Sequence, residues 1–144
     1  MTINSRVARS VRDLRSRLRD LAAAEHGEAT AKTSAAAARV TDQEQQLEDT
    51  LDEAEDTLTG ITNVYALDHV AGMVACQREA IVDAATAHAQ ATEVANLAEA
   101  RLRSRIRQLK TAERVVEMVQ DHRNAREARA EQGAQDDLVN ARRK

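Results

Sequence analysis

Proline, phenylalanine and tryptophan are absent from this chain of 144 residues, and cysteine and tyrosine occur once each, as Cys76 and Tyr65. Without proline, nothing in the sequence obliges a helix to stop. Large side chains contribute about 1.5 to 3 kcal/mol each when fully buried, and they are scarce: 29 of the 61 residues in the hydrophobic class are alanine. A thick globular core is therefore excluded. A lone cysteine excludes an internal disulfide, no CxxC or Cys/His pair stands at ligand spacing, and a reducing compartment is the simple reading. No apolar run approaches the roughly 18 residues of a membrane span. The opening stretch MTINSRVARSVRDLRSRLRD is too charged for a secretory signal. Its arginine-rich, acid-poor character is shared with mitochondrial presequences, but the apolar pattern inside it has a structural explanation.

Leucine, isoleucine and valine together number 27, close to the level at which chains stay disordered. Two features oppose disorder: the net charge is only -3, and proline is missing. Ala, Glu, Gln, Arg and Leu dominate, the residues that lose least on entering a helix. No β-branched or aromatic cluster bounded by turn residues marks a strand.

The apolar residues repeat at coiled-coil spacing. Val7, Val11, Leu14, Leu18 and Leu21 follow one another at 4, 3, 4, 3, which predicts a seam, with Asn4 or Ser5 as the N-cap. Alanines replace the large residues over 22–38. The spacing returns at Leu47, Leu51, Ala54, Leu58 and Ile61 in a different phase, so the expected seam is not one unbroken ladder. Gly60, Asn63, Asp68 and Gly72 then cluster as stop and cap signals. Beyond them Ile81, Ala84 or Ala85, Ala91, Ala95, Ala98, Leu102, Ile106, Leu109, Ala112, Val116 and Val119 recur at three and four, and the stripe thins toward Leu138 and Val139. The expectation is a single all-α domain over 1–144, an antiparallel two-helix coiled-coil hairpin. Helix one covers about 4–59, the bend about 60–71 and helix two about 72–142. At about 1.5 Å per residue this would be an elongated rod on the order of 80 to 100 Å long.

Charge is sorted along the chain. Over 40–77 there are nine acidic residues and no Lys or Arg, and Glu44, Glu48, Asp52 and Asp56 repeat at i, i+4. Like charges at that spacing cost roughly 0.2 to 0.5 kcal/mol per pair. The bend end is thus either a solvated acidic face or a surface for a basic partner. Arg6, Arg9, Arg12, Arg15, Arg17 and Arg19 crowd a helix N-terminus, where the macrodipole disfavours cations. With Arg101, Arg103, Arg105, Arg107, Arg123, Arg126 and Arg129 they mark the two chain ends as a candidate docking surface for something acidic. Nucleic acid is the weaker candidate, because no aromatic stacking platform accompanies the arginines.

Chemistry-bearing constellations are missing. His26, His69, His88 and His122 are scattered, with no carboxylate or cysteine at ligand spacing, so no metal or cofactor is expected. A thin rod cannot desolvate its carboxylates enough to tune an acid/base pair, and no enzyme is expected.

The stretch ARAEQGAQDDLVNARR at 128–143 resembles the closing motif of the FliJ/YscO family of type III export stalk proteins, through Glu131, Gln132, Asp136, Asp137, Leu138 and Arg142. The GIT of Gly60, Ile61 and Thr62 is similar to the bend of flagellar members, and length, two-helix organisation and the arginine-rich approach to the motif agree across nearly the whole chain. The resemblance implies a cytoplasmic stalk, peripheral to a membrane-embedded export apparatus. Such a stalk enters a hexameric export ATPase, reaches the cytoplasmic domain of the export-gate membrane protein, and has links to export chaperones. Carried onto this chain, the ATPase contact falls on Arg6, Arg9, Arg12, Arg123, Arg126, Arg129 and Gln132. The gate contact falls on Leu47, Leu51, Leu58, Val64, Tyr65, Leu67 and Met73. The rival readings are a structural scaffold or homodimerising adaptor and a nucleic-acid-binding coiled coil.

Overall fold

The computed structural model describes residues 4–59 and 63–141, apart from the side chains of 57, 58 and 138–141. The described residues form two helices, α1 (Ser5–Leu58) and α2 (Val64–Ala141), packed against each other as an all-α helical hairpin with no strand. The chain packs as two compact units. Unit 1 comprises Met1–Ala23 with Arg101–Lys144, and unit 2 comprises Ala24–Ala100.

Asparagine opens both helices. The backbone N–H of Arg6 donates to Asn4 Oδ1 at 3.0 Å, and that of Tyr65 donates to Asn63 Oδ1 at 3.1 Å. Each side chain thereby satisfies one of the amides that the first turn leaves without a carbonyl partner. The expected cap at Asn4 is the one formed. The bend is shorter than the cluster of glycine and polar residues suggests: α2 starts at Val64, so Asp68 and Gly72 lie inside a helix. One capping asparagine suffices to restart the helix, and without proline nothing holds the next residues out of it. Gly60, Ile61 and Thr62 lie outside the described residues.

The packed face of α1 differs from the expected one. On α1 a ladder of shielded residues runs in unit 1 through Ala8, Arg12, Arg15, Arg19 and Ala22, with Ser5 at its head and Ser16 and Leu18 half-buried beside it. In unit 2 the ladder runs through His26, Ala29, Thr33, Ala36, Val40, Gln43, Leu47, Thr50 and Ala54, with Ala37 half-buried beside it. The spacing of the ladder is 4, 3, 4, 3 throughout, without a break. Leu47 and Ala54 belong to it, whereas Leu51 does not. Val7, Val11, Leu14 and Leu21, the expected seam, are 43% to 58% exposed, and Leu18 is half-buried. The reason is geometric. A helix without a break keeps one phase, and the upstream apolar block sits one residue, about 100°, out of step with the downstream one. The block with small residues at the contact, Ala8 and Ala22, faces α2, whose side of unit 1 supplies the bulk through Leu102, Leu109, Val116 and Val119.

On α2 the expected ladder is the packed one. Ile81, Ala84, Ala91, Ala95, Ala98, Leu102, Ile106, Leu109, Ala112, Val116 and Val119 are all buried or half-buried, and Ala85 is exposed. The buried set consists of Leu109 and six alanines, Ala8, Ala22, Ala29, Ala54, Ala98 and Ala112. Polar rungs interrupt the seam and set its register. In unit 1 Arg15 Nη1 donates to Gln108 Oε1 at 2.5 Å, and in unit 2 Gln77 Nε2 donates to Thr50 Oγ1 at 2.7 Å. A slip of either helix breaks such a bond while leaving alanine contacts nearly unchanged.

Two outcomes follow from this packing. Leu109→Ala should lower unfolding stability by about 2 to 3 kcal/mol in urea titration, whereas truncating Met118, which is 70% exposed, should change it by less than about 0.5 kcal/mol. A Cβ at Gly72 meets nothing within 4 Å, so Gly72→Ala should raise stability by about 0.5 to 1 kcal/mol. A loss instead would mean that residue 72 belongs to the bend.

Candidate functional site

Unit 1 gathers the basic residues. It contains 18 Lys and Arg against 9 Asp and Glu, a net charge of +9. Arg6, Arg9 and Arg17 are exposed on α1, while Arg12, Arg15 and Arg19 belong to the packed face. Arg12 reaches past its own Cβ to Asp13, with Nη2 at 2.7 Å from Oδ1, and Arg19 pairs with Asp20 in the same way. Arginine suits this half-covered position, because its stem lies along apolar surface while the guanidinium stays wet. Of the seven residues assigned to an ATPase contact, Arg6, Arg9 and Arg12 lie on α1 and Arg123, Arg126, Arg129 and Gln132 on α2. All seven belong to this one unit.

Toward its C-terminal end α2 has no neighbour among the described residues. Counting back from the Arg15–Gln108 bond, Ser5 stands level with residue 118, and α2 continues to Ala141 with no described residue of the chain beside it. Every described side chain over 120–137 is exposed. This stretch is polar on all sides, so it depends on contacts within its own turns. Arg123 Nε donates to Glu127 Oε1 at 2.7 Å, and that bond and the carboxylate charge raise the Arg123 pKa above its ordinary value. Gln120 Nε2 donates to Asn124 Oδ1 at 3.0 Å. Arg126 and Arg129 form no ion pair with another described residue. Gly133 and Gln132 are exposed, and of the closing motif Glu131, Asp136 and Asp137 are exposed as well. The side chain of Leu138 and all of Arg142 lie outside the described residues.

Unit 2 is the electrical opposite, with 15 acidic residues against Lys32, Arg39 and Arg78, a net charge of -12. Glu44, Glu48, Asp52 and Asp56 are exposed, so their mutual repulsion is relieved by water. The residues that the resemblance assigns to a gate contact lie here but do not share one face. Val64, Tyr65, Leu67 and Met73 are exposed on the first turns of α2, Tyr65 to 84%, and Leu51 is 45% exposed on α1. Leu47 is half-buried in the seam and the Leu58 side chain lies outside the described residues. Cys76 is exposed. His26 and His88 are seam residues and His69 and His122 are exposed. Among the described residues no group of His, Cys, Asp or Glu is placed to hold a metal ion, and no helix is long and apolar enough to cross a membrane.

The apolar residues that α1 leaves uncovered in unit 1 form a surface that the sequence reading assigned to the seam. The alanines at 8, 22, 29, 36 and 54 keep step with the packed face, but those at 23, 24, 31, 35 and 38 do not, so alanine spacing alone does not mark it.

A segment without a covering helix opens locally at low cost. Native-state hydrogen exchange should therefore show the amides of 120–137 exchanging well before those of 102–116. Equal protection would place another element against the segment. No family model matches the chain, and no curated protein or solved structure does.

Proposed function

We propose that this chain is the non-enzymatic central stalk of a type III protein export apparatus, which couples a hexameric export ATPase to the export gate and promotes assembly and turnover of the ATPase ring. The observation that carries the reading is the bare segment of α2 over 120–137, which runs on past the start of α1 and bears Arg123, Arg126, Arg129 and Gln132. A helix that is polar on every side and has no neighbour among the described residues is suited to enter a polar channel formed by another protein. The resemblance of 128–143 to the closing motif of export stalks falls on this same segment. A net charge of +9 on its unit steers encounter with an acidic rim and fixes orientation, an effect that weakens as salt rises.

On this reading the exposed apolar residues of unit 2, Leu51, Val64, Tyr65, Leu67 and Met73, face the cytoplasmic domain of the gate protein. The stalk stays peripheral to the membrane, in the cytoplasm, and export chaperones are further partners. Leu47 contributes through the seam rather than by direct contact.

Added to its cognate export ATPase at saturating concentration, the chain should raise turnover and the fraction of assembled rings. The triple variant Arg123→Glu, Arg126→Glu, Arg129→Glu should lose at least about tenfold of that stimulation, equivalent to about 1.4 kcal/mol of coupling, with helix content by circular dichroism unchanged. Stimulation that survives the triple exchange, or no stimulation by the folded wild-type chain, would contradict the assignment. A salt-sensitive shift of DNA or RNA near 100 mM salt would favour nucleic-acid binding instead.

A further inference from the structure

The molecule carries two exposed aliphatic stripes that its own fold does not cover. The first lies on α1 in unit 1: Val7, Val11, Leu14 and Leu21 are 43% to 58% exposed, with Leu18 half-buried between them. At about 100° per residue, Arg15 borders this stripe on one side and Arg17 on the other. Asp13 and Asp20 lie about 120° to 140° round the helix from its centre. The second lies on α2 in unit 2: Val64, Leu67, Ala71 and Ala75 are all exposed, at spacings of 3, 4 and 4, and Arg78 ends the run. Asp68 and Glu79 stand on its border, in a unit of net charge -12.

We propose that the α1 stripe is a docking surface for a second copy of this chain, which lays the α2 stripe of its own acidic unit across it. The argument is complementarity in shape and charge. The 4, 3, 4, 3 spacing makes a narrow seam that fits another helix, whereas a helix lying on a lipid surface presents a broader apolar face. Nucleic acid would neutralise Arg15 and Arg17 but leave the valines and leucines in water. A symmetric pairing would set +9 against +9 through unit 1, or -12 against -12 through unit 2. Only the pairing of unlike units sets opposite net charges against each other, with Asp68 and Glu79, which share one side of the α2 stripe, meeting one of the two arginine borders, and this makes the contact heterologous. Because each copy carries both stripes, the contact either closes into a dimer or continues into a chain. The inference stands on the two stripes and does not rest on the stalk reading, but it shares Val64 and Leu67 with the gate contact proposed above, so one copy makes only one of the two contacts at a time.

The test is sedimentation velocity of the full chain at about 20 mM and about 500 mM salt, where the screening length falls several-fold. Association at low salt that is lost at high salt is expected. Leu14→Glu and Leu67→Lys change exposed positions, and each alone should remove association with helix content retained. Mixed together they should form a two-chain complex, because the mixture keeps one intact stripe of each kind. Arg17→Glu and Asp68→Lys, which alter only the borders, should show the same single losses and the same recovery on mixing. A monomer at low salt overturns the proposal, whether or not the chain binds phosphatidylserine vesicles. A dimer insensitive to Leu67→Lys overturns it as well, as does a mixture of Leu14→Glu and Leu67→Lys chains that stays monomeric.

Discussion

An unbroken α-helix offers one phase to a partner, and most of what is distinctive in this molecule follows from that constraint acting on α1. From Ala8 to Ala54 the same ladder is shielded, through alanine, arginine, histidine, threonine, glutamine, valine and leucine alike. The helix does not change face to bury the larger residues on offer near its start. Changing face would require a break, and the sequence has no proline to impose one. Small residues at Ala8 and Ala22 accept the bulk of Leu102, Leu109, Val116 and Val119 from α2, and Val7, Val11, Leu14 and Leu21 are turned outward.

The consequence is a hairpin held by little buried apolar area, with polar bonds setting its alignment. Among the described residues Leu109 is the only large side chain that is buried. Bonds such as Arg15 to Gln108 and Gln77 to Thr50 contribute modestly to stability but separate one register from the next. The same thinness leaves Arg6, Arg9 and Arg17 of unit 1 and Glu44, Glu48, Asp52 and Asp56 of unit 2 in water.

Much of the architecture was legible in the sequence. Two helices, their fold-back, the cap at Asn4 and the packed face of α2 all follow from composition and spacing, because α2 marks its seam with Ile81, Leu102, Leu109 and Val116. The phase of α1 was hidden because its seam is written in alanine and in the stems of polar residues. A search for large apolar side chains finds instead the block that the helix cannot afford to bury. The extent of the bend was overestimated for a related reason. Gly72 and Asp68 resemble stop signals in isolation, yet a helix already started at Asn63 continues through both, since neither residue removes a donor as proline would. The candidate site residues fall into separate units, the arginines and Gln132 in unit 1 and the apolar residues in unit 2. What spacing alone could not reveal is that the α2 group, Arg123 to Gln132, stands on a stretch of helix with no neighbour among the described residues.

The phase of α1 is the claim on which the exposed stripe, the seam and the docking surface all rest. It is measured most directly by thiol labelling of single-cysteine variants in a Cys76→Ser background, comparing neighbours one residue apart. Ala22→Cys and Ala8→Cys should react slowly, at a rate governed by opening of the hairpin, while Leu21→Cys and Val7→Cys should react at nearly the rate of a free thiol. Protection at 7 and 21 with rapid labelling at 8 and 22 would contradict the packing described and restore the seam that the leucines and valines suggest.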